Sequence, residues 1–291
     1  MSKIHIVTDS CAHFANAHFV AQNPVTIVPN KLTIDGETYR EGIDITAEEA
    51  LKLIARQSTL PMVTSPSTAD FVEVYKQLIR SHDAIISIHP SRELFPSWLN
   101  AKVAAQQLVG QCEIIVVDSQ TLCAAQGMLV QAAVKALTEN KSTEDIVRLV
   151  RGAIDRVYAL YYVETIGSLR QSKIISPSHI ILGTLLGIKP LLTVENGVLT
   201  LIEKVKTRNQ AVERLVEFAA EFVNIEDIVI LQAKSRFNDQ TRILQDRLTL
   251  EFPGRHFPFA VYSASLACLI GTDATGVVVL ERETEESNHD F

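Results

Sequence analysis

Three short and nearly uninterrupted runs of apolar residues constrain the fold of this chain most strongly. They occupy residues 4–7, 84–88 and 113–117. Strands that are buried on both faces of a parallel sheet have this composition, whereas strands with one exposed face alternate apolar and polar residues. Patterns typical of helices lie between the runs. The sequence therefore predicts an α/β fold that is built on a parallel sheet.

Four pairs of residues have the capping-box spacing, in which a hydroxyl side chain is followed three residues later by a side chain that can hydrogen-bond back. They are Thr46 with Glu49, Ser67 with Asp70, Ser142 with Asp145, and Thr207 with Gln210. Each pair predicts the start of a helix, and we expect helices near residues 207–223 and 238–250. The turns Asp35-Gly36 and Asn196-Gly197 lie between β-rich segments and predict two hairpins.

The length of 291 residues suits two domains of about 150 residues each. In the first half, strands alternate with helices, which predicts a mostly parallel sheet with helices on both faces. In the second half, a hairpin is combined with apolar runs such as residues 157–163 and 228–232, which predicts an α/β domain with a mixed sheet. We expect an N-terminal domain over residues 1–158, a C-terminal domain over residues 159–282 and a flexible polar tail over residues 283–291. The two domains should form a cleft.

Charge and composition argue against several classes of function. The chain has 27 Lys and Arg against 34 Asp and Glu, a net charge of −7, which repels nucleic acids. The four cysteines are spread along the chain without a Cys-x-x-Cys motif or a zinc-ligand pairing with the histidines, so no metal site is predicted. Neither a signal peptide nor an apolar run of about 18 residues is visible in the sequence. We therefore expect a cytoplasmic protein without an integral membrane segment.

Polar residues follow each of the three predicted parallel strands. They are Thr8, Asp9, Ser10, His89, Ser91, Asp118 and Ser119. Because the carboxyl ends of parallel strands meet at one edge of a sheet, we expect these residues to line one crevice. Hydroxyls and helix N-terminal amides can hold a carboxylate or another small polar head group there. Ser, Thr and Asp at helix starts also serve as ordinary caps, so a structural role for each residue stays open.

Catalysis is the alternative role for three of these residues. Asp9 and Asp118 could act as metal-binding or phosphoryl-transfer carboxylates, and His89 could act as a base. The chain lacks an Asp-x-Asp pair, a Gly-x-Ser-x-Gly nucleophile motif and the glycine-rich loops that bind phosphates. These absences favour a binding protein, and an enzyme that uses the three residues remains the alternative.

A series of short segments resembles the DegV family in the order in which that family has them. In the first half they are Ile-Val-Thr-Asp-Ser at residues 6–10, residues 35–45, Thr-Ser-Pro-Ser at residues 64–67, and Asp118-Ser119. In the second half they are Glu164-Thr165, Leu169-Arg170, residues 186–192, residues 203–205 and Ile270-Gly271-Thr272. The resemblance implies a two-domain α/β protein that holds a long-chain fatty acid between its domains while a separate kinase phosphorylates the carboxylate. The binding protein itself is not the catalyst.

The resemblance also implies where the ligand lies. The head group would lie near Thr64, Ser65, Phe95, Ser97, Thr272 and Asp273. Phe95 replaces a hydroxyl residue of the family, and Asp273 stands where a histidine is common. The family's Leu-Arg-Lys-Gly-Gly-Arg-Ile-Ser segment, which is implicated in meeting the kinase, is Leu-Arg-Gln-Ser-Lys-Ile-Ile-Ser at residues 169–176. Arg170 is left as the candidate partner contact.

These departures leave two hypotheses for the ligand. The first is a long-chain fatty acid or related lipid with its tail in an apolar interdomain tunnel, where Arg92 or Lys173 could supply a cation for the head group. The second is a different small apolar or cationic ligand, because an ionised Asp273 beside a carboxylate would be repulsive. Under either hypothesis we expect no cofactor, and the kinase partner follows from the resemblance alone.

Overall fold

The computed structural model describes residues 3–57, 61–170, 174–236 and 238–283, without the side chain of Arg170. Helices and strands alternate along the chain, which confirms the predicted α/β class. In chain order, the first half contains β1 (Ile4–Asp9), α1 (Phe19–Gln22), β2 (Val25–Val28), β3 (Lys31–Ile34), β4 (Glu37–Arg40), α2 (Ala47–Arg56), β5 (Met62–Thr64), α3 (Thr68–Ile79), β6 (Ala84–His89), α4 (Ser97–Gln106), β7 (Glu113–Asp118), α5 (Cys123–Thr138) and α6 (Thr143–Ile154).

The N-terminal sheet has four parallel strands in the order β2-β1-β6-β7. Helices α3 and α4 cover one face, and α5 and α6 cover the other, as predicted. Strands β1 and β6 are central and almost fully buried, in agreement with their apolar runs. Strand β7 lies at the edge of the sheet and most of its residues are only half-buried, so the prediction of burial on both faces is wrong for this strand.

The first predicted hairpin forms at Asp35-Gly36, where the φ angles are 50° and 84°. Positive φ at both central residues gives the turn a twist that matches its flanking strands, which is why Asp-Gly is favoured there. Strands β3 and β4 of this hairpin join β5 in a separate three-stranded antiparallel sheet. The hairpin therefore lies beside the parallel sheet and does not extend it.

The second half contains, in chain order, β8 (Val157–Val163), a 3₁₀ helix (Ile166–Arg170), α7 (Pro177–Leu185), β9 (Lys189–Glu195), β10 (Val198–Val205), α8 (Arg208–Ala220), β11 (Ile225–Gln232), α9 (Asp239–Glu251), β12 (Phe259–Val261), α10 (Ala264–Ile270) and β13 (Ala274–Glu281). Its strands form a six-stranded sheet in the order β10-β9-β8-β13-β11-β12. Strand β12 runs parallel to β11 and the other neighbours are antiparallel, which confirms the predicted mixed sheet. Helices α8 and α9 pack on one face over a core that includes Leu215 and Leu248.

The predicted helix starts are found where the capping residues placed them. Helices α2, α3 and α8 begin with complete capping boxes at Thr46, Ser67 and Thr207. Ser142 caps α6 by accepting a hydrogen bond from the backbone N–H of Asp145. Within the described ranges, no helix combines the length and the apolar composition that a membrane span needs.

The second face of the C-terminal sheet packs against the first half of the chain. Phe95 and Leu122 from the first half join Tyr161, Leu192 and Leu266 from the second half in one apolar core, which we call the interdomain cluster. Helix α5 contacts both β1 and β13, so it belongs to both sides of this core. The fold has two α/β domains, and the boundary at residue 158 stays a prediction. Of the predicted tail, residues 284–291 lie outside the described residues.

Candidate binding site between the domains

Asp9 and His89 are brought together at the carboxyl ends of β1 and β6, but inside the N-terminal domain. The Tyr75 hydroxyl donates to Ser87 Oγ at 2.7 Å, and Ser87 Oγ lies 2.7 Å from His89 Nε2. His89 Nδ1 then donates to Asp9 Oδ2 at 2.9 Å. All four side chains are fully buried, and the ring of Phe71 packs edge-on against His89. The Ser-His-Asp arrangement therefore lies in the buried interior and ties α3 to the sheet.

The other residues that follow the parallel strands also hold turns together. The Thr8 hydroxyl donates to the carbonyl oxygen of Ile88 at 2.8 Å. The Ser119 hydroxyl donates to the carbonyl oxygen of Thr121, and Asp118 accepts the backbone N–H of Gln120. These hydrogen bonds give the three groups a structural role within the chain, and their role in lining a ligand crevice stays a prediction.

Ser91 makes a contact between the domains. Its hydroxyl donates to the carbonyl oxygen of Gly197 at 2.7 Å. Gly197 belongs to the Asn196-Gly197 turn of the predicted β9–β10 hairpin, with a φ angle of 79°. A side chain on this residue would overlap Ser91 Oγ at 2.4 Å, so glycine is required both by the turn and by the close approach.

A buried carboxylate that the sequence analysis missed forms a second contact between the domains. Glu41 is 3% exposed. Its Oε2 accepts hydrogen bonds from Ser10 Oγ at 2.8 Å, from Asn30 Nδ2 at 3.3 Å and from Ser265 Oγ at 3.2 Å. Its Oε1 accepts the backbone N–H of Ala264 at 2.8 Å, at the start of α10. We call this group the Glu41 clamp.

Burial raises the pKa of Glu41, although the four donors of the clamp oppose that shift. The clamp links the segments that follow β1, β2 and β4 to a helix of the C-terminal domain. Glu41 follows the predicted hairpin directly, but its partners lie up to 224 residues away in the sequence. Spacing along the chain therefore gave no signal for it.

Two hydroxyls at the starts of α3 and α4 are buried without a hydrogen-bond partner among the described residues. They belong to Ser65, which is 8% exposed, and Ser97, which is 1% exposed. Each lies two residues after an apolar side chain, Val63 or Phe95, that packs in or against the interdomain cluster. The side-chain amide of Asn100 donates to the carbonyl oxygen of Pro66 at 2.8 Å, which holds the start of α4 against the start of α3. The structure thus places two unused hydroxyls on adjoining helix starts.

The remaining predicted head-group residues lie in different surroundings. Phe95 is buried in the interdomain cluster, whereas Thr64 is exposed at the end of β5. Thr272 is half-buried beside Asp273, and Asp273 is exposed and accepts a hydrogen bond from Thr165 Oγ1 at 2.7 Å. Desolvation by the surrounding residues and the nearby Glu164 raise the pKa of Asp273.

Three basic residues were considered as contacts for the head group or for a partner protein, and the structure describes the side chain of one of them. Arg92 is exposed, lies 3.6 Å from Asp118 Oδ2 and stacks over the ring of Trp98. It is therefore engaged on the surface of the N-terminal domain. Lys173 and the side chain of Arg170 lie outside the described residues. Among the residues that the structure does describe, no three His, Cys, Asp or Glu side chains are grouped to hold a metal ion.

A cavity with a volume of about 1080 Å³ lies between the two domains, at the outer edges of β2 and β12. Ser10, residues 12–17 and residues 25–27 of β2 line it on one side, and residues 256–261 line it on the other. Of the predicted crevice residues, Ser10 lines this cavity, and none of the six predicted head-group residues does. We call it the lateral cavity, because it is distinct from the helix starts at Ser65 and Ser97.

Two half-buried histidines, His5 and His13, predict how stability depends on pH. Burial lowers the pKa of His5 and of His13 to about 4, and His82 adds to the effect on His5. An unfolded histidine titrates near pH 6.5, so between pH 6.5 and 4 the unfolded chain binds more protons than the folded chain at these two sites. We expect these groups to lower the free energy of unfolding as the pH falls through this window, and to have no effect above it. The variant His5→Gln removes one of the two groups, so in this window the free energy of unfolding, measured with urea, should fall less steeply with pH, by the equivalent of up to one proton. An unchanged pH dependence would contradict the assignment to His5.

Comparison with protein-family models matches residues 3–282 to a model described as an uncharacterised protein of the DegV family. The chain belongs to the DegV family. A DegV domain-containing protein of Caldanaerobacter subterraneus subsp. tengcongensis is 29% identical over 286 residues, which cover 97% of this chain and 100% of the relative. Protein DegV of Bacillus subtilis is 27% identical over 279 residues, which cover 94% of this chain and 98% of the relative.

Solved structures of DegV proteins share the fold along nearly the whole chain. The structure of DegV from Bacillus subtilis, described as a fatty acid binding protein, has a TM-score of 0.84 at 26% identity and covers 97% of this chain and 100% of that one. A DegV family protein from Thermus thermophilus, described by its fatty acid binding, also has a TM-score of 0.84, at 25% identity, and covers 96% of this chain and 100% of that one. These similarities confirm the resemblance that the sequence segments indicate.

Proposed function

We propose that this protein binds a long-chain fatty acid or a related lipid between its two domains. Membership of the DegV family supports the proposal, since the relatives from Bacillus subtilis and Thermus thermophilus are described as binding fatty acids. The observation that carries it is the pair of buried, unpartnered hydroxyls of Ser65 and Ser97 beside the interdomain cluster. Buried polar groups are nearly always hydrogen-bonded, so two open donors on adjoining elements suggest an absent acceptor.

The hydroxyls of Ser65 and Ser97 donate hydrogen bonds to the carboxylate in this proposal. The N-terminus of α4 adds partial positive charge, because the helix has neither a side-chain cap nor an acidic residue in its first turn. Phe95 contributes apolar surface in place of a hydrogen bond. Thr64 and Thr272 lie at the outer side of the head group, and the contact with Thr165 orients Asp273.

In this proposal the acyl tail packs along the interdomain cluster, where it contacts Phe95 from one domain and Tyr161 from the other. Each buried methylene contributes about 0.8 kcal/mol, so the tail supplies most of the affinity and the head group supplies orientation. The hydroxyl of Tyr161, which belongs to this cluster, is also buried without a hydrogen-bond partner among the described residues.

The protein serves as a carrier in this proposal and not as a catalyst, since Asp9 and His89 are buried in internal hydrogen bonds. It works in the cytoplasm without a cofactor. The segment that begins at Arg170 is proposed as the surface that meets a separate kinase. Protein purified from its native cells should therefore carry an acyl ligand that mass spectrometry of a denatured extract detects.

The double variant Ser65→Ala plus Ser97→Ala tests the placement of the head group. A hydrogen bond to a charged group contributes about 1.5–3 kcal/mol, so we expect the affinity for oleate to fall about tenfold or more. Isothermal titration of lipid-stripped protein measures it. The matched control is Ser81→Ala, which removes an exposed hydroxyl at the opposite edge of the sheet and should leave the affinity unchanged.

Full oleate affinity in the double variant would contradict the placement of the head group. No oleate binding by the unaltered protein, together with no acyl ligand in native preparations, would contradict the function itself.

A further inference from the structure

The lateral cavity is large enough to be a binding site in its own right. Its volume of about 1080 Å³ reaches the upper end of the range of about 300–1,000 Å³ that small-molecule sites occupy. It lies where the edge strand of one sheet faces the edge strand of the other, so both domains supply its walls. The proposed fatty acid site does not use it, because neither Ser65 nor Ser97 lines it.

Its walls are mainly aromatic and aliphatic. Phe14, Val25 and Ile27 line the N-terminal side, and Phe257 and Val261 line the C-terminal side. Ligand sites have this character, in which apolar side chains predominate and a few polar groups fix the orientation. The lining of the lateral cavity therefore suits a compact apolar molecule.

The charge of the lining selects among apolar molecules. No Lys or Arg lines the cavity in the described parts of the chain, and the one carboxylate in its wall is that of Glu41. An anionic head group would therefore meet neither a Lys nor an Arg side chain there, and the carboxyl group of Glu41 lies in the same wall. A cation would find the oxygens of Glu41 already occupied by the donors of the clamp. A neutral ligand incurs neither penalty.

One buried side-chain polar atom in the described part of the wall has no hydrogen-bond partner. His13 lines the cavity, and its Nδ1 is buried without a hydrogen-bond partner in the described structure. Burial lowers the pKa of His13 to about 4, so the ring is uncharged at neutral pH and each nitrogen can bond to a neutral group. The backbone N–H of His13 is bound to the carbonyl oxygen of Cys123 at 3.2 Å, which fixes the position of the loop.

We propose that the lateral cavity is a second binding site, which takes a neutral, apolar small molecule with one polar group hydrogen-bonded to His13. The site is separate from that of the proposed fatty acid and differs from it in the charge that it accepts. It brings residues 12–17 and 256–261 onto one ligand, so its occupant contacts both domains.

The test uses the neutral fluorophore N-phenyl-1-naphthylamine, titrated into the full chain in the presence of saturating oleate. Ala15→Trp fills the cavity from the loop that carries His13, and Ile43→Trp adds bulk at an exposed position of its rim. Val109→Trp is the control, because Val109 is 79% exposed and does not line the cavity. We expect about tenfold weaker binding of the fluorophore in the first two variants and unchanged binding in the third.

Charge selection is tested with a matched anionic fluorophore, 8-anilinonaphthalene-1-sulfonate, which should bind about tenfold more weakly than the neutral one. Equal binding of the two fluorophores, or full binding of the neutral one in both Ala15→Trp and Ile43→Trp, would overturn the proposal. So would its complete displacement by oleate from protein that binds oleate. If the chain binds no oleate at all, the tryptophan variants still decide the lateral site alone. Urea unfolding of each variant confirms that a loss of binding is not a loss of folding.

Discussion

Replacing Glu41 by alanine should lower the free energy of unfolding by about 3 kcal/mol or more. The substitution leaves the hydroxyls of Ser10 and Ser265 and the backbone N–H of Ala264 buried without their acceptor, whereas Asn30 Nδ2 keeps its hydrogen bond to Ser265 Oγ. Each unsatisfied buried group costs about 1–3 kcal/mol, and the desolvation of the carboxylate that is relieved offsets part of the total. Because these groups come from both domains, the loss should appear as weaker docking of the domains as well as lower stability.

The control is Glu41→Gln, which has the same shape and keeps one oxygen acceptor. The hydroxyls of Ser10 and Ser265 can rotate to accept a hydrogen bond from the new amide, so we expect a loss of about 1 kcal/mol. Urea unfolding with a common slope measures both variants. Equal stabilities of Glu41→Ala and the unaltered protein would show that the clamp is not a stabilising contact.

Gly127→Ala should destabilise the protein by about 2–3 kcal/mol, although alanine is the better helix former by about 1 kcal/mol. Gly127 lies inside α5, where a Cβ atom would stand 2.0 Å from the backbone oxygen of His13. The atom that the new Cβ would overlap is a backbone oxygen, which cannot rotate away as the end of a side chain could, so the loop at residues 11–13 has to move away. That movement breaks the hydrogen bond from the backbone N–H of His13 to the carbonyl oxygen of Cys123, and it deforms the wall of the lateral cavity.

Gly152→Ala in α6 is the matched control. No atom lies within 4 Å of the position that its Cβ would take, so only the helix propensity acts. We expect a gain of about 0.5–1 kcal/mol. The two Gly→Ala substitutions should thus change the urea midpoint in opposite directions. A stabilised Gly127→Ala variant would mean that α5 and the His13 loop are not in contact.

The features of the fold that could be predicted from sequence have local causes. The starts of α2, α3 and α8 depend on side chains within one helical turn, and the two hairpins depend on residues that accept positive φ. Strand β2 was missed because it is four residues long and stands between Pro24 and Pro29, which indicate a loop. The separate sheet of β3, β4 and β5 was missed because its pairing of Lys31 with Thr64 joins segments that are far apart in sequence.

In the candidate site, too, some features could be predicted from the sequence and others depend on contacts between distant residues. Convergence of the turns after the parallel strands was predicted from the geometry of such sheets, and Asp9 and His89 do meet there. That they bond inward depends on Ser87 and Tyr75, which no spacing connects to them. The lateral cavity and the Glu41 clamp arise from packing between the domains, so only the tertiary structure shows them.

The bond between Glu41 and Ala264 spans 223 residues of sequence, and this has a consequence for biosynthesis. A nascent chain leaves the ribosome from its N-terminus, and domains generally fold as units in that order. Glu41 therefore emerges while α10 is still untranslated, and its carboxylate stays in water until almost the whole chain has been made. The N-terminal domain is therefore made with this carboxylate exposed, and the Glu41 clamp can form only after α10 has been made.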